Sequence, residues 1–208
     1  MQFVLFHGSA VGPKDAWFPW LKEKLEAQGN KVLAPQFPTN RWEELVTAEP
    51  GSIVIKQTLF SWIKLFKSIL PKIDREEKLC FIGHSIGSLF ILHLVEALEL
   101  KLDLAIFVCP FLEPTKSVWQ IQELNKTFFN HKFDFRKLRK LISASEVIYS
   151  DNDPYVSQEA ALRFARKIHS HAVLVKGVGH MGLESGLREL PLLLEKIKLH
   201  SFQSKIHS

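Results

Sequence analysis

Three residues far apart in the chain could together do nucleophilic chemistry: Ser85, Asp153 and His180. Ser85 lies in Gly83-His84-Ser85-Ile86-Gly87, a G-x-S-x-G run between the apolar stretch Lys78–Ile82 and a helical pattern. A serine on a sharp strand-to-helix turn has its Oγ lifted clear of a sheet, and flanking glycines leave room where the chain doubles back. Its hydroxyl is a poor nucleophile until a base takes the proton, and a third group must hold that base in one tautomer. In sheets of this kind the partners follow in chain order serine, acid, histidine, each on a loop after a strand. Asp153, within Ser150-Asp151-Asn152-Asp153-Pro154-Tyr155-Val156, follows an apolar run at 146–150. His180, within Gly177-Val178-Gly179-His180-Met181-Gly182, follows another at 172–176. Such a set attacks an ester, thioester or small amide and passes through an acyl-enzyme.

Each position has competitors. Pro154 steers Asp153 into an extended conformation, so Asp153 is preferred for the acid and Asp151 is read as capping the turn. His84, inside the elbow, is expected to pack in place, and His93 to be structural. His169 and His171 form an H-x-H with no third ligand at fitting spacing, so they read as surface. Gly177–Gly182 also matches G-x-G-x-x-G, but no strand follows to complete a βαβ unit, so no dinucleotide is expected. No cofactor and no metal are expected. The oxyanion would be met by the backbone N–H of Ile86, at a helix N-terminus, and by that of Ser9 in His7-Gly8-Ser9-Ala10, with Ala10 the next choice.

These loops need a sheet to present them. Strands are predicted at Gln2–Phe6, Lys31–Ala34, Lys78–Ile82, Leu104–Val108, Glu146–Ser150 and Ala172–Lys176. Helical patterns lie between or after them, near Ala16–Gln28, Ser52–Leu70, Ser85–Glu99, Gln158–Ile168 and Leu187–Leu199. The alternation predicts an α/β fold: a mostly parallel sheet of about six strands with helices on both faces. Residues 111–141 break the alternation. Val118, Ile121, Leu124 or Asn125, and Phe128 recur there at helical spacing, which predicts a small helical insertion over the sheet's carboxyl edge. The tail His200–Ser208 is expected to fray.

At 208 residues and 46% hydrophobic, the chain can bury one sizeable core, and residues 1–208 read as a single domain. The apolar opening is too short for a signal sequence, and no run is long enough to span a bilayer. Cys80 and Cys109 fall at buried-strand patterns and read as reduced thiols. A cytoplasmic location is expected. The net charge of +5 reads as solvated lysine on helix faces, with no nucleic-acid footprint. One cluster between Lys126 and Lys140 is denser; it reads first as a solvated helix face, and only if it overhung the pocket mouth would it attract anionic substrates. Trp17 and Trp20, nearest the oxyanion loop, are candidate pocket walls.

With these pieces placed, the chain resembles the retinoblastoma-binding protein 9 / YdeN family of small serine hydrolases, of the α/β-hydrolase type. The resemblance runs nearly end to end: His7-Gly8, Asp15-Ala16-Trp17-Phe18-Pro19-Trp20-Leu21, Ala34-Pro35 through Phe37-Pro38, then the elbow, acid and histidine loops. It implies Ser85 as nucleophile, Asp153 as acid and His180 as base. Ser157 stands where relatives usually show Pro, which would loosen the acid loop. Neither cysteine lies in an L-x-C-x-E frame, so a retinoblastoma-type partner is not expected.

The function expected is a cofactor-free serine hydrolase acting on a small-molecule ester, thioester or amide. Its activity should rise through the ordinary histidine range, about pH 6 to 7, as the base becomes neutral. The alternative is a non-catalytic interaction module that keeps the fold. A membrane-acting lipase with Trp119, Phe128 and Phe129 on its cap is weaker still, since those aromatics are expected to pack on the protein's own body.

Overall fold

Alternation of apolar side chains decides the architecture. In β1 (Gln2–Phe6), Val4 and Phe6 enter one core while Phe3 and Leu5 enter another. In β3 (Leu79–His84) and β4 (Leu104–Val108), Phe81 and Phe107 join the first, and Cys80, Ile82 and Ile106 the second. Strands buried on both faces require helices above and below. The computed structural model describes residues 1–206, with side chains through His200. It has that form.

The helices are α1 (Phe18–Ala27), α2 (Trp42–Val46), α3 (Leu59–Ile69), α4 (Ile86–Leu98), α5 (Trp119–Asn125), α6 (Phe135–Leu141), α7 (Gln158–Ile168) and α8 (Pro191–Ile206). With β2 (Lys31–Leu33), β5 (Ser145–Ser150) and β6 (His171–Val175), the six strands pair in the order β2-β1-β3-β4-β5-β6, all parallel. Side chains of α1 and α8 fill the core of Phe3 and Leu5; those of α3, α4, α6 and α7 fill the other. This is an α/β-hydrolase-type fold. The strand order turns back between β1 and β3, and such a reversal opens a crevice at the strands' carboxyl ends. The loops after β1 and β3 meet there.

Two segments differ from their sequence reading. The helix expected from Ser52 starts only at Leu59, behind Thr58, whose side chain accepts from Ser61 N–H. Residues 52–57 form no helix, and Asn40 pairs with their backbone: its Nδ2 donates to the Val54 carbonyl at 2.9 Å, and Lys56 N–H donates to its Oδ1 at 3.0 Å. A side chain thus replaces the helical ladder. At the other end, α8 continues to Ile206 through residues expected to fray; 207 and 208 lie outside the described residues. Ser157 caps α7 by accepting from Ala160 N–H at 3.2 Å, a service proline has no side-chain acceptor to supply.

Residues 111–141 fold as α5, a short 3-10 turn at Lys126–Phe128, and α6. Phe128 is fully buried against Trp62 and Phe90, and α6 packs on α4 and α7. Phe128 therefore serves the core, with Phe129 packed partly against it. At the sheet's amino end, buried Glu146 accepts from His171 Nδ1 at 2.8 Å and His200 Nε2 at 3.0 Å, with Lys196 Nζ at 3.3 Å. His171 is exposed, as its sequence reading has it, and also ties β6 to β5 through Glu146, while Lys196 and His200 tie α8 there. His169 closes α7 in the left-handed conformation.

α4 is buried from Ile86 to Val95, and its Phe90 ring lies 5.1 to 5.9 Å from those of Phe6, Phe37 and Trp62. Phe90→Ala should cost about 3–5 kcal/mol. The measurement is urea unfolding: the midpoint falls and the slope stays.

Candidate active site

The β3–α4 turn is built by exclusion. A Cβ on Gly83 would lie 2.7 Å from Ser88 N and 2.8 Å from the Gly87 carbonyl; one on Gly87 would lie 2.4 Å from the Phe6 oxygen. Glycine alone lets α4 press against the end of β1. Between them Ser85 takes φ 56°, ψ −124°, a conformation that costs of order 1–3 kcal/mol for a non-glycine residue. Its N–H is fixed to the Val108 carbonyl at 2.9 Å, and Ser88 Oγ donates to the Gly83 carbonyl at 2.8 Å. The neighbouring strands hold the strain.

The three predicted side chains converge. His180 Nε2 lies 3.0 Å from Ser85 Oγ, and His180 Nδ1 lies 2.7 Å from Asp153 Oδ2. Asp153 Oδ1 accepts from the N–H groups of Tyr155 and Val156, both at 2.9 Å. Burial works to raise the Asp153 pKa, but His180 and those two N–H groups outweigh it, and the carboxyl stays below its ordinary value. An acceptor-only carboxylate places the proton on Nδ1 and leaves Nε2 to accept from the serine hydroxyl. Tyr155 meets the imidazole edge-on, ring centroids 5.2 Å apart.

The acid and histidine loops are laced together by three consecutive residues. Asp151 Oδ1 accepts from Gly177 N–H at 2.8 Å, Asn152 Oδ1 from Gly179 N–H at 2.8 Å, and Asp153 bonds His180. Asp151, the rival for the acid, holds the other loop in place. Gly177 and Gly179 both have positive φ, which lets the loop turn tightly ahead of His180. Two donors hold its far side: His84 Nε2 to the His180 carbonyl at 2.7 Å, and Trp17 Nε1 to the Met181 carbonyl at 2.9 Å. His84 thus packs in place as read. Trp17 is a prop under the site and lines no wall, a role its sequence position did not signal.

His84, Cys109 and His180 bring donor atoms within 4.8 Å of one another. Those donors are committed elsewhere: His84 to a carbonyl, His180 to Asp153 and Ser85, and burial pushes the Cys109 thiol well up so that it keeps its proton. The arrangement suits proton transfer, and thiol ligands would have to ionise to bind an ion.

The Ile86 N–H is the first of α4, among those a helix leaves without an internal partner. In the loop after β1, the Ala10 N–H is taken by Thr39 Oγ1 at 3.0 Å, so Ser9 is the candidate there. A cavity of about 630 Å³ opens in front of Ser85, walled by Ser9, Trp42, Phe111, Ile121, Asn125 and Leu183 among others. Trp42, Asn125 and the short helix α2 were missed from sequence, and Trp17 and Trp20 are absent from the wall. The charged groups at the wall are Asp15, Arg41, Glu43 and Glu184. The basic cluster between Lys126 and Lys140 is elsewhere, its charge facing acids: Lys126 meets Glu123, His131 meets Glu96, and Lys137 meets Glu99. It does not overhang the mouth.

With this geometry in hand, the profile of the serine hydrolase family matches residues 3–198. The chain belongs to the serine hydrolase family. Among relatives of this serine hydrolase, YdeN of Bacillus subtilis (strain 168) is 26% identical over 196 residues, 93% of each chain. Methylesterase 8 of Arabidopsis thaliana is 26% identical over 157 residues, 74% of this chain and half of that one. The crystal structure of the ydeN gene product from B. subtilis superposes with a TM-score of 0.78 at 22% identity, covering 96% and 97% of the two chains. Among the described residues no helix is long and apolar enough to cross a membrane.

Three buried histidines stay neutral. Burial lowers His7 and His93 to about 4 and His84 to about 3, from 6.5. The unfolded chain takes up protons that the folded chain refuses, so stability falls as pH drops from about 6.5 toward 4, each histidine contributing up to about 1.4 kcal/mol per pH unit. Asp153, lowered when folded, acts in the same sense nearer its ordinary range. The urea midpoint should therefore be clearly lower at pH 5 than at pH 7; equal midpoints would contradict the neutral assignment.

Proposed function

We propose that this serine hydrolase cleaves a small-molecule ester through Ser85, His180 and Asp153. Thioesters and small amides are within the same chemistry. The observation that carries the reading is the continuous hydrogen-bond chain, 3.0 Å from Ser85 Oγ to His180 Nε2 and 2.7 Å from Nδ1 to Asp153. Ser85 Oγ attacks the carbonyl carbon as its proton passes to Nε2, and the oxyanion is met by the N–H groups of Ser9 and Ile86. The carbon–oxygen bond to the alcohol breaks, the alcohol takes that proton, and an acyl-enzyme remains. Water gives a proton to His180 and its oxygen to the acyl carbon. The acid departs and the proton returns to Ser85. Asp153 stabilises the imidazolium formed in each half.

The likeness to a protein named methylesterase supports ester over amide. Residues 1–208 act as one hydrolase domain in this reading, with 111–141 as a small cap-like insertion contributing Ile121 and Asn125 to the cavity. The proposed location is cytoplasmic, supported by two buried, unpaired cysteines. No nucleic acid and no retinoblastoma-type partner enters the proposal.

A fluorophosphonate should label the wild type and leave Ser85→Ala unlabelled. Equal labelling would remove Ser85 from the role. On short-acyl p-nitrophenyl esters, Asp153→Asn should lower kcat by about 10⁴-fold with a small change in KM, as loss of the tautomer-holding acid does in such triads.

A further inference from the structure

The loop carrying Ser9 is held by side chains whose hydrogens can be placed one after another. Ala10 N–H donates to Thr39 Oγ1 at 3.0 Å, and a backbone N–H only donates. Thr39 turns its own proton to Gln57 Oε1 at 2.7 Å; its alternative acceptor, the Asn40 carbonyl, lies at 3.4 Å. With Oε1 so used, Gln57 presents Nε2 to Ser9 Oγ at 3.0 Å and to Asn125 Oδ1 at 2.6 Å. Ser9 Oγ accepts that hydrogen and sends its own to Asn125 Oδ1 at 2.6 Å. Asn125 Oδ1 therefore receives two hydrogens, and Nδ2 must face away from the network.

Asn125 is only 4% exposed, yet it lines the cavity together with Ser9 and Ser85. No protein acceptor for its Nδ2 exists among the described residues, while every fully buried side-chain nitrogen or oxygen there has a partner. The two Nδ2 hydrogens consequently open on the cavity. Much of the cavity wall is hydrocarbon, from Phe111, Val118, Ile121 and Leu183, alongside the charged groups named above. A few fixed polar groups in an apolar pocket set orientation and selectivity, because a buried donor left unmet by the ligand is costly.

We propose that Asn125 determines substrate choice: its Nδ2 donates to an acceptor oxygen that the substrate carries besides its scissile ester. Preferred substrates are mostly apolar esters bearing one additional ether, carbonyl or hydroxyl oxygen in the acid or the alcohol part. This rests on Ser85 acting as the nucleophile.

The experiment compares kcat/KM for ester pairs matched in length, one all-hydrocarbon and one with an internal ether oxygen: p-nitrophenyl pentanoate against p-nitrophenyl 3-methoxypropanoate, and butyl acetate against 2-methoxyethyl acetate. The wild type should favour the oxygenated member of at least one pair. Asn125→Leu removes the donor. Asn125→Asp keeps an acceptor for Ser9 and Gln57 while turning an acceptor to the cavity, and it carries the test if Asn125→Leu does not fold. Both should lower the oxygenated-to-hydrocarbon ratio by about fivefold or more, one hydrogen bond's contribution. Ser9→Ala, which loosens the clamp and spares Nδ2, should slow both esters and keep the ratio. The proposal is overturned if the wild type prefers neither oxygenated ester, or if the ratio survives in both Asn125 variants. A wild type inert to all four esters and unlabelled by fluorophosphonate would take down the hydrolase reading beneath it as well.

Discussion

No atom larger than hydrogen fits between Gly87 and the end of β1, and the site depends on that closeness. The 2.4 Å left for a Cβ beside the Phe6 oxygen brings α4 against the strand whose following loop carries Ser9. It also places Ser85 in its strained turn, between backbone anchors on β4 and on its own helix. The elbow and the Ser9 loop are neighbours because β1 and β3 are neighbours in the sheet. Sheet order, glycine spacing and the strained serine are thus one constraint seen at three scales.

The histidine comes from the other side of the crevice and is fixed differently. No glycine contact locates it. Three acceptors on the acid loop, and two donors beneath, hold the loop that bears it. Keeping His84 uncharged suits this arrangement, because a second cation 4.9 Å away, centroid to centroid, would oppose the imidazolium that the proposed mechanism forms on His180.

Much of this was legible in the residue pattern, for stated reasons. Strand alternation gave six strands to within about two residues, because both cores draw on alternate side chains. Ser85, Asp153 and His180 stood out because glycine and proline punctuate their loops. What stayed hidden depends on partners far away in the chain. Asn125 bonds Ser9 across 116 residues, and on its own helix it reads as one more position of an apolar stripe. The start of α3 was misplaced because Asn40 claims the preceding backbone. Which way the basic segment faces stayed open because charge density along a chain does not orient a helix; here Glu96 and Glu99, at the end of α4, pair with it away from the crevice.

The lacing of Asp151, Asn152 and Asp153 onto the histidine loop has a consequence for how such a protein can change. A length change in either loop would shift three bonds together and displace the imidazole with them. The opposite wall, made by α2 and α5, meets the reacting groups only across the cavity. Selectivity can therefore drift or be redesigned on that wall while the proton path stays still, with Asn125, bonded to Ser9 and Gln57, tying the wall to the Ser9 loop.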